Sequence, residues 1–217
     1  GVPLGAGTYF VKATNAATNC SSSITSFTID DIHVDPVASF ISFADNTNCS
    51  GVPNGSISID VNGAGPLPGQ FTIEWFAGNG TSTPLPVANV TGAAGQTAQN
   101  LTAGTYTVRV TGLTTPNSGC FSTASFTIND NLSYPAANGI SFPNTACDPA
   151  KSNGSIVADV GGAIAGYTFH IFRGQNTLTA NEVTSGPATA TNLEAGIYTV
   201  QAITDATGCS ATTEVAV

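Results

Sequence analysis

Along most of the chain, apolar and polar side chains alternate strictly in runs of about 5–8 residues, the length and rhythm of β-strands. Ile57, Ile59 and Val61 fall on one side of such a run, with Ser56, Ser58 and Asp60 on the other. Tyr106, Val108 and Val110 alternate in the same way with Thr107, Arg109 and Thr111. A period of two is that of a strand with one face buried and one wet. Turn-forming groups (Gly51-Val52-Pro53-Asn54, Gly65-Pro66, Gly78-Asn79-Gly80, Pro116-Asn117-Ser118-Gly119) punctuate these runs. No stretch sustains an apolar period of 3.6, so helix should be nearly absent. The pattern places strands near 37–43, 55–61, 70–76, 105–111 and 120–128, with two short ones between 85 and 100.

The same pattern is written more than once. Leu101-Thr-Ala-Gly-Thr-Tyr-Thr-Val108 returns as Leu193-Glu-Ala-Gly-Ile-Tyr-Thr-Val200, and Leu4-Gly-Ala-Gly-Thr-Tyr-Phe-Val11 is a third version. Asn54-Gly55-Ser56-Ile57 recurs as Asn153-Gly154-Ser155-Ile156, and Phe27-Thr28-Ile29 as Phe126-Thr127-Ile128. Self-similarity at a spacing of about 90–100 residues marks a tandem array. Residues 32–131 and 132–217 read as two complete modules, and residues 1–31 as the last part, strands F and G, of another. A lone two-stranded hairpin is marginal in water, so residues 1–31 are expected to need strands from elsewhere. Those come either from a longer array of which this is a window or from a neighbouring molecule that adds them.

The repeated Leu–x–Ala–Gly–x–Tyr element has a physical reading. Leu101 closes one strand inside a core, Gly104 turns the chain, and the Tyr106 hydroxyl reaches back to main chain. This is the tyrosine corner of Greek-key sandwiches, expected at Tyr9, Tyr106 and Tyr198. The fold class is therefore all-β, tandem immunoglobulin-like Greek-key β-sandwich modules.

Composition narrows the setting. Of 217 residues only 8% are charged, with 4 Lys+Arg against 13 Asp+Glu and a net charge of −9. Such a chain repels phosphate backbones and anionic lipid, so nucleic acid is not an expected partner. No apolar run approaches the roughly 18 residues of a spanning helix. With 41% hydrophobic residues the chain can bury a core, which argues against disorder.

One combination is more specific: a Cys before Asn–Gly–Ser–Ile, an aromatic strand, the Leu–x–Ala–Gly–x–Tyr element, then Gly–Cys and a Thr/Ser-rich last strand. The residues are Cys49, Asn54–Ile57, Leu101–Val110 and Gly119-Cys120 in one module. In the next they are Cys147, Asn153–Ile156, Leu193–Val200 and Gly208-Cys209. Together they resemble the SprB-type repeats of Bacteroidota gliding-motility adhesins and related giant cell-surface proteins. The resemblance implies export across the outer membrane, an extracellular, cell-surface or filament location, and adhesive or load-bearing duty. Its expected partners are neighbouring modules of the same long chain, other copies in a filament, and surface glycans or proteins.

The five cysteines fit the repeat. Cys49 and Cys147 precede the second strand of their modules, while Cys120, Cys209 and Cys20 open the last strand of theirs. Without a Cys-x-x-Cys or a nearby His, disulfides are expected rather than a metal site. Pairing within modules, Cys49–Cys120 and Cys147–Cys209, closes long loops worth about 4 kcal/mol each in the chain-entropy model. Yet those turns lie at opposite ends of a sandwich, roughly 20 Å apart along a six-residue strand, and bonded cysteines need Cα atoms within about 7 Å. In a head-to-tail array the first turn of one module faces the last hairpin of the next. This favours Cys49–Cys209 across the junction, with Cys20, Cys120 and Cys147 reaching other modules.

Chemistry is sparse elsewhere. No nucleophile elbow or phosphate-cradling loop is present, so neither an enzyme nor a cofactor is expected. His33 and His170 have no evident Ser or Cys partner and read as solvated. Trp75 aligns with Ile171 and reads as core. Phe76 and Phe172 alternate away from that core and mark either a contact with another molecule or a site covered by a loop. The linker from Ile128 to Pro135 and the trio Asp30, Asp31 and Asp35 offer oxygens at the junctions. Calcium wants six to eight, a set that cannot be named here, and turn and capping roles are expected instead. Loops 77–90 and 173–191 differ most between modules and would carry any ligand specificity.

Overall fold

The computed structural model describes residues 3–63, 68–115 and 118–217; the expected turns at Gly65-Pro66 and Pro116-Asn117 lie outside them. Every regular element longer than three residues is a strand. A hairpin of β1 (Gly7–Val11) and β2 (Thr25–Ile29) comes first. Then β3 (Ala38–Ala44), β4 (Gly55–Val61), β5 (Phe71–Ala77), β6 (Val90–Thr91), β7 (Thr97–Leu101), β8 (Gly104–Gly112) and β9 (Phe121–Ile128) close on one hydrophobic core. The strands β10 (Ala137–Phe142), β11 (Gly154–Val160), β12 (Tyr167–Arg173), β13 (Glu182–Gly186), β14 (Thr189–Leu193), β15 (Ile197–Thr204) and β16 (Ser210–Ala216) close on a second.

Alternation does what the pattern requires. Ile57, Ile59 and Val61 on β4 face Trp75, Val108 and Val110 across the first sandwich, all buried. Ile156 and Ala158 on β11 face Phe169, Ile171 and Val200 in the second. The Trp75 indole N–H donates to the Gly95 carbonyl at 2.9 Å, satisfying the polar end of a buried core tryptophan.

The two sandwiches differ at one edge. In the first, β3-β4-β7-β6 faces β5-β8-β9, the constant-type immunoglobulin arrangement. In the second, β10-β11-β14 faces β13-β12-β15-β16, so the short edge strand has moved to the other sheet. The switch lies in the segment where the two modules diverge most in sequence.

Small residues in the repeated motif have defined work. A Cβ on Gly55 would strike the Leu101 carbonyl oxygen and lie 2.9 Å from Ile128, and one on Gly154 would lie 2.7 Å from the Leu193 carbonyl oxygen. The Asn-Gly-Ser-Ile strand thus needs glycine where it passes the leucine that closes the facing strand. Asn100 and Asn192, just before those leucines, are left-handed (φ 56° and 59°), a conformation Asn tolerates better than most residues. The ladder slips register at Gly55/Ser56 and at Gly154/Ser155, so each Asn–Leu pair forms a bulge that aims the leucine inward.

The β1–β2 hairpin has the residues of a sandwich half and no opposing sheet among the described residues. Leu4 and Val11 are 56% and 54% exposed, whereas their counterparts Leu101 and Val108 are 1% and 0% exposed.

Candidate functional site

The three tyrosine hydroxyls each donate to the carbonyl four residues upstream: Tyr9 to Gly5 at 2.7 Å, Tyr106 to Thr102 at 2.9 Å and Tyr198 to Glu194 at 3.0 Å. These are the tyrosine corners of the repeated element. Burial pushes the Tyr198 hydroxyl above its ordinary pKa, which keeps it protonated and donating. Their role is structural.

The junction between the sandwiches is where chemistry-bearing residues meet. Cys49, in the turn between β3 and β4, is bonded to Cys209, at the start of β16, with Cα atoms 4.8 Å apart and 160 residues between them in sequence. The pairing Cys49–Cys120 with Cys147–Cys209 is therefore not made, because those turns sit at opposite ends of a sandwich. Cys20, Cys120 and Cys147 are free thiols.

Hydrogen bonds surround the bond. The Cys49 N–H donates to the Thr207 carbonyl at 2.8 Å. Linker residues lie along the same turn: the Asn46 N–H donates to the Asn129 carbonyl at 2.9 Å, and the Asn131 N–H returns to the Asn46 carbonyl at 2.8 Å. The Asn46 side-chain amide donates to Asp130 at 2.8 Å, and Asp45 accepts from the Asn129 N–H at 3.0 Å. Asp130, considered above as a calcium oxygen, here anchors the linker to the turn. A cleft of about 360 Å³, lined by Asn46, Cys49, Pro53, Thr102, Asp130 and Leu132, runs beside the disulfide.

The turn itself is braced from within. The Thr47 N–H donates to the Asn54 side chain at 2.8 Å, and Asn54 returns a bond to the Thr47 hydroxyl at 2.8 Å. Asn46 accepts from the Asn54 N–H at 3.2 Å. The signal is present in the sequence as Asn-Thr-x-Cys followed by Asn in both modules, a spacing whose hydrogen bonds only the fold shows.

Of the two readings open for Phe76 and Phe172, the structure shows the covered one, with the rings 5% and 4% exposed. Phe76 is covered by the segment returning through Pro84, which bridges to it, and by the Arg109 guanidinium 5.6 Å above its ring. Phe172 is covered where β13 joins the edge of β12 and by His170 stacked at 6.2 Å. His170 is not solvated: its Nδ1 lies 2.5 Å from Glu182 and both side chains are largely buried. The equivalent Glu74 pairs instead with Arg109 on the neighbouring strand.

The reasoning that no histidine lies near a cysteine fails at the first linker. His33, Asp35 and Cys120 bring their ligand atoms within 4.8 Å of one another. The His33 Nδ1 is 2.5 Å from Asp31; this hydrogen bond lowers the Asp31 carboxyl and raises the His33 ring from their ordinary values. Away from the junction, the divergent loop of the first module borders an apolar groove of about 280 Å³ lined by Ile73, Trp75, Phe76, Pro84, Leu85 and Val90.

Fold and joint together define the class: tandem immunoglobulin-like β-sandwiches joined covalently from the first turn of one to the last hairpin of the next. No family model matches the chain, and no curated protein sequence matches it. Among solved structures it is similar to the three N-terminal domains of the highly immunogenic outer capsid protein (Hoc) of bacteriophage RB49. That match is 17% identical with a TM-score of 0.34 and covers 85% of this chain. The chain spans 58% of that structure's length. It is also similar to murine CEACAM1b, at 15% identity and a TM-score of 0.28, over 75% of this chain and 91% of that one. The sandwich assignment stands on the strand pairing given above. No helix among the described residues is long and apolar enough to cross a membrane.

Proposed function

We propose that the chain is a load-bearing segment of an exported surface or filament protein of the SprB-like kind, in which sandwich modules are stapled head to tail into a stiff stalk. The observation that carries this reading is the Cys49–Cys209 bond. It joins two separate cores rather than reinforcing one, so its effect is on the joint. A disulfide is at home in an oxidising extracellular setting, and the near-absence of charge leaves few basic sites for proteases. A single linker would leave two sandwiches free to swivel, since intrachain interfaces of modest size permit motion. Two covalent tethers plus the Asn46–Asn131 pairing remove that freedom. No catalytic step and no cofactor belong to this reading.

Small-angle scattering of the oxidised chain and of a Cys49→Ser/Cys209→Ser variant tests it. The oxidised chain should fit one inter-module arrangement, and the variant a broader ensemble with larger maximum dimension. Identical profiles would overturn the stapled-stalk reading.

A second reading, binding of a glycan or protein by the divergent loops, is favoured by the apolar groove beside Leu85 and Val90. A glycan array probed with this chain separates the two; selective binding abolished by Leu85→Asp would support it.

A further inference from the structure

The two halves of the joint recur where no bond is made. The hairpin before β16 holds Cys209 by two main-chain hydrogen bonds: the Gly208 N–H donates to the Thr204 carbonyl, and the Thr204 N–H donates to the Cys209 carbonyl, both at 2.8 Å. The Cys120 hairpin repeats this with Gly119 and Gly112 at 2.9 Å, and the Cys20 hairpin with Asn19 and Asn15 at 2.8 and 2.9 Å. In all three the residue before the cysteine is left-handed, at φ 67°, 83° and 52°. At Gly208 an added Cβ would come within 3.0 Å of the Ser50 side chain, so the hairpin sits hard against the Cys49 turn.

The receiving turn is also duplicated. Around Cys147, the Thr145 N–H donates to Asn153 at 2.8 Å, Asn153 returns a bond to the Thr145 hydroxyl at 2.9 Å, and Asn144 accepts from the Asn153 N–H at 3.1 Å. These are the bonds that Asn46, Thr47 and Asn54 make around Cys49. The Asn144 amide donates to the Ala146 carbonyl at 3.4 Å as the Asn46 amide does to the Asn48 carbonyl at 3.1 Å; Asn46 bonds in addition to Asp130 in the linker that follows its own module. Unlike Cys49, Cys147 is an exposed free thiol.

We infer that the Cys147 turn is a receptor for a cysteine hairpin of a further module of this same repeat, and that the two close a disulfide equivalent to Cys49–Cys209. The inference rests on the stapled-array reading and names the partner of its free site. The equivalent turn in this chain, that of Cys49, is occupied by the Cys209 hairpin. The joint unites unlike loops, so it is heterologous and propagates instead of closing into a two-fold dimer. Closure needs a disulfide oxidant such as glutathione disulfide. The Cys147 thiolate attacks it, forms a mixed disulfide and releases one thiol. The hairpin thiolate then attacks the Cys147 sulfur and displaces the second, so two thiols lose two protons and two electrons to the oxidant. In a second copy of this chain the available hairpin is that of Cys20, which is exposed; Cys120 is half-buried with His33 and Asp35 of its own linker beside it.

The test is incubation of the full chain at high concentration in a glutathione redox buffer, followed by non-reducing electrophoresis and disulfide-peptide mapping. An oligomer ladder is expected in which Cys147–Cys20 peptides exceed Cys147–Cys147 peptides by about five- to tenfold, the ratio one net interface hydrogen bond supplies. Cys147→Ser should abolish the ladder and keep Cys49–Cys209. A chain that stays monomeric, a ladder that survives Cys147→Ser, or equal self- and hairpin pairing overturns the inference. Absence of the Cys49–Cys209 peptide from the same map would instead remove the stapled-array reading itself.

Discussion

Pulled by its two ends, this chain should carry load along a path that skips most of its length. Force entering through β3 reaches Cys49, crosses the disulfide to Cys209 and leaves through β16. The 160 residues of sequence separation between the two sulfurs are shielded, which at 3.3–3.6 Å per extended residue hides about 530–580 Å of contour. Single-molecule force spectroscopy with and without a thiol reductant measures this directly. Oxidised molecules should lack that length and show at most the release of residues 1–48 and 210–217. Reduced molecules, or Cys209→Ser, should regain it as two sandwich-unfolding events. Bonds within modules would hide about 130 residues instead, and so about 430–480 Å. A gain of that smaller size, or no change on reduction, would refute the load-path argument.

Three further outcomes follow from particular contacts. Gly55→Ala and Gly154→Ala should each lower stability by roughly 1–3 kcal/mol, the range for overpacking against backbone that cannot give way, read as a drop in the urea midpoint; an unchanged midpoint would contradict the close approach to Leu101 and Leu193. Tyr106→Phe removes the donor to the Thr102 carbonyl and should cost about 1 kcal/mol, read by thermal unfolding, with no change in the disulfide map. His33, whose ring is raised by the Asp31 hydrogen bond, should titrate by NMR above its ordinary 6.5 and return toward it in Asp31→Asn. The pairing contributes below the unfolded value of His33 and is lost as pH rises through the raised one. On the acid side it is lost as pH falls through the lowered value of Asp31.

How much of this was legible in the sequence varies with the range of the interaction. Alternation located β4, β5, β8 and β9 within a residue or two, because a strand buried on one face writes its register into its own side chains. The tyrosine corner was legible for a similar reason: donor and acceptor are four residues apart. Phe76 and Phe172 were not, since alternation shows which face a residue occupies but not whether a distant loop or edge strand covers that face. The move of β13 to the opposite sheet was equally hidden, because a short edge strand pairs according to tertiary context rather than propensity. His170 meets Glu182, and His33 meets Cys120, only once the sheets and linkers are in place. The asparagine cradle around Cys49 and Cys147 was in plain view as a repeated spacing. Its meaning came only with the side-chain hydrogen bonds, which sequence spacing does not specify.

The central claim is a covalent joint between two sandwiches. Its most direct test is proteolysis of the chain, kept unreduced throughout its isolation, with mass spectrometry of the joined peptides. The account predicts a peptide pair containing Cys49 and Cys209. Recovery of Cys49 joined to Cys120, with Cys147 joined to Cys209, would contradict it.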